Sequence, residues 1–268
     1  MYNTIEVGID AVGVATLTLC RPEKHNALSG EMIDDVFTAV TALDADDSVR
    51  VVVLRGAGRS FCAGGDLAWM KAQINATAEV RAASARRLAA MLGAVNSLSK
   101  PVIAVIQGAA FGGGVGLACV ADKVIASEAA TFGLTETKLG LIPATIGPYV
   151  IARMGEGAAR QVFMSSRPFD ARTAQRLGIV AEVVAPDDLD TALAAEVAAY
   201  LACAPAAVAE AKAMVLSLGH APDSAAVAAS VAALLARWEH PEATAGITAF
   251  FDKTTPPWAV GDVTKSAK

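Results

Sequence analysis

The sequence predicts an α/β core followed by a helical C-terminal module. Three observations carry that reading. Short apolar runs with strand character alternate with segments of helical spacing up to about residue 185. Two of those runs end in glycine clusters that lead into helices, at 60–67 and 107–118. From residue 186 onward the chain is Ala-rich and reads almost wholly as helices. The predicted division is therefore 1–185 for the core and 186–268 for the helical module.

In order, residues 3–20 alternate as a hairpin, with Ile5, Val7 and Ile9 on one face of the first arm and residues 10–13 as the turn. Leu17 and Leu19 continue the second arm until Pro22 stops it. Ser29 is an N-cap candidate for a helix that places Met32, Ile33, Val36, Phe37, Val40 and Leu43 at helical spacing. Residues 49–54 form the next strand, and Asp66 opens a short helix through Trp69 and Met70. Thr77 or Glu79 starts a longer helix, with Val80, Leu88, Met91, Leu92, Val95 and Leu98 inward and Arg81, Arg86 and Arg87 as its solvated face. Residues 101–106, 123–126, 130–132 and 180–184 read as further short strands. The C-terminal helices break at Pro205 and across 219–222.

A chain of 268 residues can bury one large core. Hydrophobic residues make up 54% of it and the mean hydropathy is +0.46, yet no apolar run is long enough for a membrane span. The surplus apolar surface therefore points to burial between subunits. Twenty-two basic against 27 acidic residues give a net charge of −5 and a pI near 5.3, which argues against a nucleic-acid partner. Residues 1–6 carry neither a basic nor an apolar signal region, and Cys20, Cys62, Cys119 and Cys203 lack metal or redox spacing. A reducing, cytoplasmic setting is expected.

The glycine run Gly112-Gly113-Gly114 has two readings: a tight turn with close packing, or a backbone approach to a ligand with free N–H groups at a helix start. Ser60-Phe61-Cys62-Ala63-Gly64-Gly65-Asp66-Leu67 repeats the pattern. Two such turns can offer main-chain N–H groups to a single oxygen, which is an oxyanion hole.

Four stretches in order and spacing carry a resemblance: Arg21-Pro22 with Asn26-Ala27-Leu28, Phe61 with Ala63-Gly64 and Asp66-Leu67, the glycine run ending in Gly116-Leu117-Ala118, and Phe132-Gly133 with Glu136, Gly140 and Pro143. Over residues 2–185 the chain resembles the enoyl-CoA hydratase/isomerase (crotonase) superfamily. The resemblance implies ββα units wound into a right-handed spiral, and trimers commonly paired into hexamers. It implies an acyl-CoA substrate whose thioester oxygen is held by the N–H groups of Ala63 and Gly113, with no cofactor beyond the coenzyme A of the substrate. Asp66 reads as an N-cap rather than an acid.

Hydratases of this superfamily use two glutamates. The later one falls on Glu136 and the earlier on Gly116, which has no side chain. That departure is similar to methylglutaconyl-CoA and isohexenylglutaconyl-CoA hydratase-like members, as is Asp66-Leu67-Ala68-Trp69-Met70. A Δ3,Δ2-enoyl-CoA isomerase with one base is the alternative, and a non-catalytic acyl-CoA-binding homologue is a third. A peptidase on a related spiral lacks a suitable Ser/His pair. The substrate contacts implied are Lys24, His25, Ala27, Ala63, Gly64, Asp66, Leu67, Gly113, Gly116 and Lys253, of which Lys24, His25 and Lys253 read equally as CoA contacts or as solvated surface. His220 and His240 read as structural.

Overall fold

The computed structural model describes residues 2–219 and 222–259. Strands β1 (Ile5–Ile9) and β2 (Val14–Leu19) form the expected antiparallel hairpin, followed by helix α1 (Gly30–Ala45). Ser29 caps α1 by accepting from the Met32 N–H. Strand β3 (Val51–Gly56) leads to a three-residue strand β4 (Ser60–Cys62), then helices α2 (Leu67–Ile74) and α3 (Ala78–Ser97). The pattern repeats with β5 (Val102–Ile106), β6 (Ala109–Phe111) and α4 (Gly113–Val120). It begins again with β7 (Lys123–Ser127) and β8 (Thr131–Gly133).

Helices α5 (Gly147–Met154) and α6 (Glu156–Phe163) follow, then β9 (Phe169–Asp170), α7 (Ala171–Arg176) and β10 (Glu182–Val184). The chain closes with α8 (Leu189–Leu201), α9 (Pro205–Leu218), α10 (Ser224–Glu239) and α11 (Pro241–Phe251).

The long strands make a six-stranded sheet in the order β1-β2-β3-β5-β7-β10, parallel except at the β1–β2 hairpin. Each short strand turns out of it into a second sheet, β4-β6-β8-β9. These are the ββα units that the resemblance implies. The central parallel strands β3, β5 and β7 are buried on both faces, as parallel sheets require. Val52, Leu54, Ala104 and Ile106 face the core under α1 and α3. Val51, Val53, Ile103, Val105 and Ile125 face α8 through Leu189.

Several sequence expectations change. The glycine turns run from strand to helix as expected, but the strands they leave are the short β4 and β6 rather than β3 and β5. Phe37 and Val80 are exposed rather than inward. Arg81 is not solvated: its side chain is 10% exposed and its guanidinium stacks 5.3 Å over the Trp238 ring. The boundary at 185/186 is no break in packing, since α8 seals the outer face of the sheet and Leu234, Trp238 and Phe250 reach back to the cavity described next.

Candidate active site

Strands β4, β6 and β8 lie side by side and parallel, so the segments leaving their C-terminal ends emerge together. Those segments are Ala63–Gly65, Gly112–Gly113 and the 3-10 turn Glu136–Leu139, and they line one cavity of about 410 Å³. The rest of its wall is mostly apolar, from Leu28, Ile33, Leu67, Trp69 and Met70 to Ile146, Leu234 and Trp238. Gly64 (φ +93°) and Gly112 (φ +48°) adopt backbone that side chains disfavour. A Cβ on Gly112 would lie 2.9 Å from the Glu136 Oε1, so glycine there lets the carboxylate approach the turn.

The first turn is fixed by a short parallel bridge between Leu28 and Gly65. Leu28 donates to the Gly64 carbonyl (2.7 Å) and accepts from the Asp66 N–H (3.0 Å), which turns the intervening Gly65 N–H the other way. Asp66 caps α2 by accepting from Ala68 and Trp69 and pairs with Arg21 at 3.0 Å. Burial alone would raise its carboxyl pKa, but the bonds from Trp69, Arg21 and Ala68 outweigh it and hold the group below its ordinary range. Asn26 is fully buried, accepts from the Arg21 N–H and donates to the Ala57 and Ser60 carbonyls. The Arg21-Pro22/Asn26 motif is thus a brace for this turn.

The assignment of Ala63 as an oxyanion donor requires correction. Its N–H is already donated to the His25 carbonyl at 3.0 Å. The Gly65 and Gly113 N–H groups line the same cavity and donate to no described residue. Gly113 is also the first residue of α4, whose positive end adds to the field there.

Glu136 lines the same cavity. Its Oε2 is sealed from solvent and has no hydrogen-bond partner among the described residues. Burial pushes the carboxyl pKa up from 4.5 to about 7, only partly offset by the backbone N–H groups of Glu136 and Thr135. Gly116 lies behind the wall rather than in it. A Cβ there would fall 2.6 Å from Ile146 Cγ2 and 3.6 Å from Leu92 Cδ2, so Ile146 fills the space an acidic side chain would need.

Of the predicted contact residues, Ala63, Gly64, Leu67, Gly113 and Glu136 line the cavity. Asp66 and Gly116 sit behind it. Lys24 and Lys253 are exposed outside it, Ala27 is buried beneath the turn, and His25 faces away. The His25 ring meets Ser60 Oγ at 3.0 Å, a pair the sequence did not reveal. Arg59 rather than a carboxylate faces that ring, and Ser60 is buried in β4, so no nucleophilic triad results. Cys62 and Cys119 are buried thiols pushed up to about 12 by that burial, hence inert. His240 caps α11, accepting from the Glu242 N–H, while His220 lies outside the described residues.

Sequence reasoning missed Gly65, although it stands inside a motif already singled out. It also missed Gln73, three residues after the inward Met70 on the same helix face, and Arg81 and Trp238, for which no local signal exists.

The sequence and fold are shared with known proteins. A putative enoyl-CoA hydratase of Thermus thermophilus is 34% identical over 93% of this chain and 99% of its own. An enoyl-CoA hydratase structure from Shewanella pealeana superposes with a TM-score of 0.79 at 35% identity, covering 96% of both chains. One from Mycobacterium avium subsp. paratuberculosis gives 0.85 at 27% identity, covering 97% of this chain and 100% of its own. With the enoyl-CoA hydratase/isomerase family model matching residues 10–261, the chain belongs to the enoyl-CoA hydratase/isomerase family.

Proposed function

We propose that the protein hydrates a 2-enoyl-CoA, with Gly65 and Gly113 holding the thioester oxygen and Glu136 moving the proton. The observation that carries this reading is that two main-chain N–H groups without a partner among the described residues line a single, mostly apolar cavity with Glu136, a buried residue whose Oε2 likewise has none. Addition at C3 places negative charge on the thioester oxygen, which preorganised dipoles stabilise. The Glu136 carboxylate takes a proton from water as the hydroxide bonds to C3. The carboxyl group so formed returns a proton to C2, and the carboxylate is regenerated.

A branched or carboxylated acyl group, such as 3-methylglutaconyl, is the substrate this reading favours. Crotonyl-CoA, 3-methylglutaconyl-CoA and a 3-enoyl-CoA should be offered in parallel while the conjugated enoyl absorbance is followed. Loss of absorbance with a 2-enoyl substrate is expected. No change with any of the three would overturn the assignment. Isomerisation is the second reading, favoured by Ile146 filling the place of a second carboxylate, and it would show as absorbance gained from the 3-enoyl substrate.

We also propose a homotrimer or homohexamer formed through the helices after residue 186. Helix α9 is apolar but has no buried residue, and Met214, Val215 and Leu218 are 57%, 65% and 81% exposed. Sedimentation at micromolar concentration should give the mass of three or six chains; a monomer would overturn this.

A further inference from the structure

We infer that the end of the acyl cavity away from the glycine turns is a polar subsite, formed by Gln73 and Arg81, that takes an oxygen on the far end of the acyl chain. The inference rests on the acyl-CoA reading above and specifies its substrate. Helix α2 runs alongside the cavity, starting at the oxyanion turn and ending near Arg81. At eight residues it separates the two ends by about 12 Å. The end away from the glycine turns is lined by Gln73 (5% exposed), Arg81 and Trp238 (8%).

Met70 and Gln73 are the inward residues of α2, so Gln73 occupies a position that an apolar side chain would fill in an ordinary core. Its backbone carbonyl accepts from Arg81 Nε at 2.9 Å. Its side-chain amide makes no hydrogen bond to any described residue, yet it is not among the polar atoms sealed from access, where Glu136 Oε2 is found instead. A buried amide in that condition, on a cavity wall, is built for a partner the chain does not supply.

Arg81 adds donors beside it. Of its five N–H groups, one each goes to the Gln73 carbonyl, the Ile74 carbonyl and the Glu239 carboxylate. Two remain, on a guanidinium held rigid by the Trp238 ring. Guanidinium and amide donors on one cavity wall suit an acceptor oxygen, whether of a carboxylate or of a neutral carbonyl. A methyl terminus would leave all of them unpaired, at the cost that makes such sites selective.

The test uses saturated acyl-CoAs of four to eight carbons, each ended by a methyl group, a carboxylate or a methyl ketone, with binding measured by calorimetry. Because these ligands need no turnover, the result is independent of which reaction the protein catalyses. At one chain length an oxygen-ended ligand should bind wild type about tenfold or more tightly than its methyl-ended counterpart. Gln73→Leu should bring that ratio to within about twofold of unity. A carboxylate preferred over the ketone identifies Arg81 charge as part of recognition; equal binding identifies hydrogen bonding alone. Methyl-ended ligands preferred at every length, or a ratio that Gln73→Leu leaves intact, would overturn the subsite while leaving the acyl-CoA reading in place. Absence of binding by every ligand would overturn that reading and the subsite with it.

Discussion

Glu136→Gln should lower kcat by about 10² or more on the best substrate while acyl-CoA still binds. The substitution keeps size and hydrogen-bonding capacity but cannot exchange a proton. In the wild type, a base whose carboxyl pKa stands at about 7 is largely protonated at pH 6 and ionised at pH 8. The kcat/KM should therefore rise with pH through about 7, and that limb should vanish in the variant.

The same burial gives a stability signature of opposite sense. The folded-state pKa lies above the ordinary value of 4.5, so the neutral carboxyl is the form the fold favours. Its contribution is fully present below about pH 4.5 and is lost as pH rises through about 7. Glu136→Gln should thus melt like wild type at pH 4 and be more stable at pH 8, on the order of 3 kcal/mol. Near-wild-type turnover by the variant would remove Glu136 from the chemistry; an unchanged stability difference between pH 4 and pH 8 would remove its raised pKa.

What the sequence made legible depended on how local each cause was. The Ser29 and Asp66 caps and the Val/Ile strands are decided within a few residues, and they were read correctly. Strands β4 and β6 were not read, because three residues ending at a glycine turn carry no period, and their pairing comes from neighbours some fifty residues distant. Phe37 and Val80 fit the helical spacing of buried positions, but no described element covers them. Arg81 looked like solvated charge because its partner Glu239 is 158 residues away. Gly116 announced a missing side chain, whereas Ile146 filling the gap required the fold. In the oxyanion turn the motif located the loop, but which N–H is free depended on a bond to His25 that only the folded chain shows.

That last distinction is open to direct measurement through Gly65→Pro, which should lower kcat by about 10² to 10³ with the fold retained. Proline deletes one N–H, and the Gly65 N–H donates to no described residue, so no folding hydrogen bond is lost with it. The bridge to Leu28 is made by Gly64 and Asp66 and survives the change. Gly65→Ala is the matched control. It keeps the N–H, and its Cβ would meet Met70 Sδ at 3.4 Å, an ordinary contact, so its kcat should stay within a fewfold of wild type. Ala63→Pro should behave differently. It removes the N–H bonded to the His25 carbonyl and leaves that acceptor bare, so its effect should appear as a lowered melting temperature, worth about 1–3 kcal/mol. If Gly65→Pro folds and turns over within about threefold of wild type, Gly65 does not hold the oxyanion. If Ala63→Pro instead folds normally and loses its turnover, the donor is Ala63 after all, and the bond to His25 opens when substrate binds.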